Sequence, residues 1–468
     1  MKKTKFLILL FALSLGSICI FAFSTYRAHK HVTFNETVLY GNPSVTKGLN
    51  ATLKTNYSEQ MYWNTNIKFS ESIKTDTQYS FYTDSQLYEW QEPCEGLELT
   101  VDMSYSYDNY LRHKELLDSL ETFELNGVTL YLKDFADYYD FDIFYGFPKY
   151  ASKPRWLSCD DTATAYNPTD GTGYSIYQSD PEKADAWVLK NYFKIPVLET
   201  ETYTEFFDEN TGSHEITISD DSFALELLTV ITDNVCYFTF NPYSTQGNPI
   251  DVSLLPDGFG IFALPYEPDG DENADTIRTD KLSVAYQLDP AVELYELQIN
   301  EDQTHMFLYT IEDQQLYLTV IKIATMETLQ KQVIYDLTES KTPAVHYSKG
   351  SILLTNPSND TLSVYAEAEN HMYHFEFTCS YDSEDDFFSR FDFIPQFDYN
   401  GEYLAFAGID KMFRENNNEY CNFLIAIYDK NGLQYIGKYE NSLDSGIDND
   451  SSDYSLKSDH HDAIEISW

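Results

Sequence analysis

FDYNGEYLAFAG, residues 397–408, sets a polar turn between an aromatic approach and an apolar run. Asn400-Gly401 is turn chemistry, because both residues tolerate the left-handed backbone, and Tyr403, Leu404 and Phe406 then suit a pleated strand. The beat recurs. Turns anchored at Thr77, Gly127, Gly171, Asp221, Gly258, Asp302, Gly350 and Gly401 each accompany an aromatic or branched apolar run, in steps of 37 to 51 residues.

A step of about 45 residues is the period of a four-stranded β-propeller blade. One short sheet cannot bury its own face, so such units are stable only when stacked. The last third repeats most cleanly. Residues 315–337, 351–377 and 421–439 each read as successive antiparallel strands, with tight turns at NPSND, AEN and DKNG. In this third the polar turn and "ylaf"-like strand resemble TolB-type and WD40-like propeller repeats, over roughly residues 295–440. FDYNGEYLAFAG matches best, although it lacks the Pro of that turn and has Asn-Gly for Asp-Gly. The resemblance implies a recognition scaffold and carries no catalytic or binding motif.

The expected fold is therefore mainly β: a membrane-anchored propeller of seven or eight blades, six at the lower count, with short helical insertions. SYDNYLRHKELLDSLETFELNG (106–127) and PEKADAWVLKNYF (181–193) have the spacing of those helices. The alternatives are an N-terminal α+β domain over residues 60–215 with a smaller propeller, or a pair of β-sandwiches. Residues 1–24 read as a signal-anchor, 25–70 as a juxtamembrane stalk and first strand, and 71–443 as the propeller-like ectodomain. An acidic low-complexity segment, 444–463, follows, and residues 464–468 offer a closing strand.

The signal-anchor reading rests on Lys2, Lys3 and Lys5 ahead of FLILLFALSLGSICIFAF, residues 6–23, which carries no charge. That run just reaches the length of a spanning helix. It places the N-terminus inside and the remainder outside the cell, or releases a secreted chain if cut after Ser24. Ile18 stands where a lipobox before Cys19 needs a small residue. The chain carries 76 acidic against 30 basic residues, a formal charge of −46, which repels phosphate backbones and excludes nucleic-acid binding. Five cysteines beyond the helix form no CxxC pair; Cys236 reads as a core residue and Cys379–Cys421 as a candidate bridge. Asn35, Asn50 and Asn56 lie in N-x-[ST] sequons.

DGDENADTIRTD, residues 269–280, places Asp269, Asp271, Asn273, Asp275 and Asp280 at positions 1, 3, 5, 7 and 12 of a calcium loop. Alternate oxygens in a tight loop can surround hard Ca²⁺, but Ala274 replaces the turn Gly and Asp280 is shorter than the usual Glu. A solvated acidic loop fits the same residues. Asp448, Asp450, Asp459, His460, His461 and Asp462 could hold a transition metal or belong to a disordered tail. His371 and His374 are three apart, on opposite faces if both lie on a strand. YYDFDIFYGFPKY (138–150) offers either an aromatic stacking platform or a half-buried strand. No H-E-x-x-H, G-x-S-x-G, Walker A or dinucleotide fingerprint occurs. Three readings of function follow. The first is a tethered, non-catalytic module that binds a protein or surface polymer, the second a secreted carbohydrate- or peptide-active hydrolase or lyase, and the third a structural coat component.

Overall fold

The computed structural model describes residues 11, 13–20, 23, 32–57, 61–81, nine strands between 98 and 218, 227–241 without 233, 252, 255–267 without 256, 276–277, 281–338, 341–356, 360–380, 396–408, 423–441, 454–456 and 464–468. They are mainly β, and every strand pairing among them is antiparallel. Two compact units divide the chain: residues 1–92 with 340–468, and residues 93–339.

The first unit opens with β1 (Phe34–Gly41), a short 3-10 turn (Pro43–Thr46), β2 (Asn50–Tyr57), β3 (Met61–Lys68) and β4 (Lys74–Phe81). Residues 34–68, read from sequence as stalk and first strand, thus hold three strands. Their Thr and Asn hide a period of two: Ala51 and Leu53 are buried, as are Thr65 and Ile67.

In the second unit, residues 98–218 carry strands in two- and three-stranded pairings. The helices expected over 106–127 and 181–193 lie outside the described residues. Two larger sheets follow. One joins β5 (Leu227–Ile231), β6 (Val235–Phe240), β7 (Gly260–Glu267) and β8 (Ser283–Gln287), with Thr276–Ile277 also paired to β7. The other is a four-strand meander of β9 (Glu293–Ile299), β10 (His305–Glu312), β11 (Gln315–Lys322) and β12 (Glu327–Asp336). A single apolar core fuses them, from Phe238, Phe262 and Leu264 to Leu297, Met306 and Leu308. Asn241 adds a reciprocal link: its Nδ2 donates to the Leu294 carbonyl at 2.8 Å and its Oδ1 accepts the Leu294 N–H at 2.7 Å.

The chain then returns to the first unit with a second meander, β13 (Ala344–Ser348), β14 (Ser351–Asn356), β15 (Thr361–Glu367) and β16 (Tyr373–Ser380). A third comprises β17 (Gln396–Tyr399), β18 (Leu404–Gly408), β19 (Phe423–Asp429) and β20 (Gly432–Asn441). β1 adds to its outer edge on β20. The last strand, β21 (Ile464–Ser467), pairs with β2 and completes the sheet of β2, β3 and β4.

The third meander lies between two cores, and this explains its unbroken apolar runs. From β18 and β19, Leu404, Phe406, Leu424, Ala426 and Tyr428 join the core shared with β14–β16. Ala405, Ala407, Phe423, Ile425 and Ile427 join the core shared with β2 and β21. The period of two is present, but both faces are covered.

Of the beat anchors, Gly258, Asp302, Gly350 and Gly401 sit at turns, Thr77 lies inside strand β4, and Gly127, Gly171 and Asp221 lie outside the described residues. Asn400 Oδ1 accepts the N–H groups of Glu402 and Tyr403 at 2.9 and 2.8 Å, and Gly401 has φ +92°. Asp257-Gly258 and Lys349-Gly350 also hold positive φ. Asp302, Gly350 and Gly401 each precede the second strand of a meander. Asp221 and Gly258, by contrast, precede β5 and β7 of one sheet, so beats and sheets do not correspond one to one.

Candidate functional site

In the first unit, polar clusters mark the places where the two ends of the chain enter neighbouring sheets. On β20, Tyr435, Gly437 and Tyr439 share a face because they are two apart. The ring of Tyr435 lies over Gly437, where a Cβ would fall 1.9 Å from the Tyr435 hydroxyl. This lets Tyr435 Oη meet Tyr439 Oη at 2.6 Å and donate to Glu36 Oε1 of β1 at 2.5 Å. Both rings are fully buried, and Tyr439 stacks on Phe423 with centroids 4.9 Å apart. Burial drives both phenols far above their usual range; the bond to Glu36 adds to this for Tyr435, and the coupling to Tyr435 adds to it for Tyr439. They therefore stay protonated donors, clamping β1 onto β20, and cannot serve as bases at neutral pH.

The C-terminal strand is held just as specifically. Ile464 and Ile466 are buried, Lys54 pairs with Glu465 at 2.6 Å, and Lys349 donates to the Ile466 carbonyl. The backbone N–H of Trp468 donates to the buried Asp398 carboxylate at 2.8 Å, and its indole N–H to the Asp398 carbonyl at 3.2 Å. Asp398 is the second residue of FDYNGEYLAFAG.

β1 also carries a surface feature. Its register on β20 shifts between Val38 and Tyr40, leaving Leu39 as a bulge. Val38, Leu39 and Tyr40 are consecutively exposed, at 44%, 46% and 53%. Among the described residues, the other exposed large apolar side chains are Val333, Phe375 and six on the helical residues 11, 13–20 and 23.

The sequence-derived candidates distribute as follows. Asp269, Asp271, Asn273, Asp275 and Asp280 lie outside the described residues; on either side of the acidic run, Glu267 and Thr276 pair as neighbouring strands. Asp448, Asp450, Asp459, His460, His461 and Asp462 also lie outside them. Among the described residues no group of three His, Cys, Asp or Glu could hold a metal ion. His371 sits in a 3-10 turn beside Glu367, and only His374 is on β16, so the strand premise for the pair holds for one histidine alone. Cys236 is buried as expected, and burial pushes its thiol up to about 12. Cys379, the proposed half of a bridge, is a buried free thiol, while Cys421 lies outside the described residues. The aromatic 138–150 stretch contains Tyr138–Tyr139 and Asp142–Gly146 as strands. Among the described residues no helix is long and apolar enough to cross a membrane; of the 6–23 run, only residues 11, 13–20 and 23 are described, and these are helical.

Sequence reasoning missed the Glu36–Tyr435–Tyr439 clamp. Its one local signal is Y-x-G-x-Y, two aromatics on a strand face with a glycine between them.

No family model matches the chain, and no curated protein matches it. Solved structures with similarity include the periplasmic gluconolactonase PpgL of Pseudomonas aeruginosa, at 11% identity and TM-score 0.30, over 84% of this chain and 96% of that one. The β-propeller domain of Swd1 from Myceliophteria thermophila is 13% identical, with TM-score 0.25, over 60% and 83%. Hsv2 of Kluyveromyces lactis is 8% identical, with TM-score 0.27, over 62% and 87%. Likenesses at this level carry no argument about function.

Proposed function

We propose that this protein is a membrane-tethered, extracytoplasmic β-propeller that binds a protein or surface polymer without catalysis. The observation that carries the reading is the junction between helix and sheet. Residues 13–20 are helical with Leu13, Leu15, Ile18 and Ile20 exposed, an arrangement that suits an apolar solvent. Val32 is already fully buried, and its carbonyl accepts from Thr75 Oγ1 at 2.6 Å. Only residues 24–31 separate an apolar helix from a folded, acidic β body. A calcium ion in the 269–280 loop would be an accessory to such a module.

Surface crosslinking in native cells, followed by identification of what co-purifies, tests the binding role. The expected result is a stoichiometric protein or polymer adduct from intact cells. Turnover in a glycan and peptide hydrolysis screen, without any adduct, would replace this reading with the hydrolase.

A further inference from the structure

We propose that Val38, Leu39 and Tyr40 form a second membrane contact, an edge of β1 that enters the headgroup region and orients the first unit on the bilayer. This rests on the tethered reading above and adds to it a place of contact.

Three observations support a lipid surface as the occupant. The first is clustering: outside the N-terminal helix, these three are the consecutive members of the exposed apolar set among the described residues. From Asn35 to Gly41 every residue of β1 is exposed, so this edge turns no side chain inward, and all three apolar residues project. A Leu–Tyr pair of this kind suits the interface, where an apolar body meets a polar tip. The second is reach. Phe23 is helical and Val32, two residues before β1, is buried, and nine residue steps span at most roughly 30 Å. β1 starts two residues later and carries the patch, so the patch belongs to the first strand after the described helical residues. The third is charge. Every one of the 76 acidic residues lies at or beyond Glu36, whereas Lys2, Lys3, Lys5, Arg27 and Lys30 precede it. An acidic body is repelled by anionic headgroups; the patch begins two residues past Glu36, next to the acid-free, basic-flanked N-terminal stretch where approach costs least. That charge also disfavours a second copy of the chain as the occupant.

The test uses the full chain in phosphatidylcholine–phosphatidylglycerol nanodiscs. A nitroxide is placed at Leu39→Cys, with Val333→Cys as the exposed comparison and the spectrum of the labelled parent subtracted. Tyr40→Cys is the second reporter if Leu39→Cys does not fold. The expected result is severalfold greater collision with oxygen, and severalfold less with a water-soluble nickel chelate, at Leu39 than at Val333. Equal nickel access at both positions, with the chain still resisting alkaline extraction, would overturn the contact and leave the tether standing. Reduced access to both reagents would show a protein covering the edge, and would also overturn it. Loss of the chain to the alkaline wash would overturn the tether and the contact together.

Discussion

Gly437 is the position where one hydrogen atom decides a structure. Gly437→Ala would drive a methyl into the buried Tyr435 ring, which has nowhere to move. The expected loss is about 2–4 kcal/mol, within reach of overpacking and a broken buried bond combined. Tyr435→Phe removes the bond to Glu36 but keeps the packing, so about 1–2 kcal/mol is expected by chemical denaturation. The glycine variant should be the worse of the two. His346 gives a pH signature. Burial lowers its imidazole to about 4, and its Nε2 lies 3.3 Å from Thr355 Oγ1. The unfolded chain therefore binds a proton that the folded chain refuses between about pH 6.5 and 4, and stability falls on acidification through that window. Its contribution has a ceiling of roughly 3 kcal/mol. Replacing it, as in His346→Gln, should flatten that part of the pH–stability curve relative to the parent.

Elements were legible where local chemistry and packing agree. DKNG and Asn400-Gly401 announced their hairpins because the left-handed turn is written in the residues themselves. The β18 and β19 runs were legible as strands, although their continuous apolar character conceals which face meets which core. β1 was not legible as a sheet member. FNETVLYG has only Phe34 buried, and its pairing partner is some 400 residues away, so nothing local marks it. Equal spacing also misled: the beats at Asp221 and Gly258 fall in one sheet, because a turn signal marks any hairpin and not a blade boundary. At this scale the C-terminal clasp can be tested. Asp398→Ala leaves the Trp468 N–H without its carboxylate, and a loss of about 1–3 kcal/mol is expected. Deleting residues 464–468 should lower the melting midpoint further, because it opens the β2 edge over Ala51 and Leu53. For the 269–280 loop, Asp271→Ala should lower the midpoint only when Ca²⁺ is present; equal melting of parent and variant under both conditions would remove calcium from the account.

For the whole molecule, the charge argues against nucleic acid and the N-terminal apolar run is the sole basis for expecting an extracytoplasmic chain, while the binding face stays unspecified because no catalytic motif singles one out. The charge of −46 has its own consequence. Self-repulsion is screened by salt, so the melting midpoint should rise between low ionic strength and about 0.3 M, and a midpoint that falls over this range would show attractive charge pairs dominating. The central claim is the tether, and membrane topology tests it most directly. In intact cells expressing the full chain with a C-terminal epitope, the account expects the protein to stay with membranes through alkaline carbonate and the epitope to be destroyed by added protease. Recovery in the carbonate supernatant with the epitope protected would contradict it.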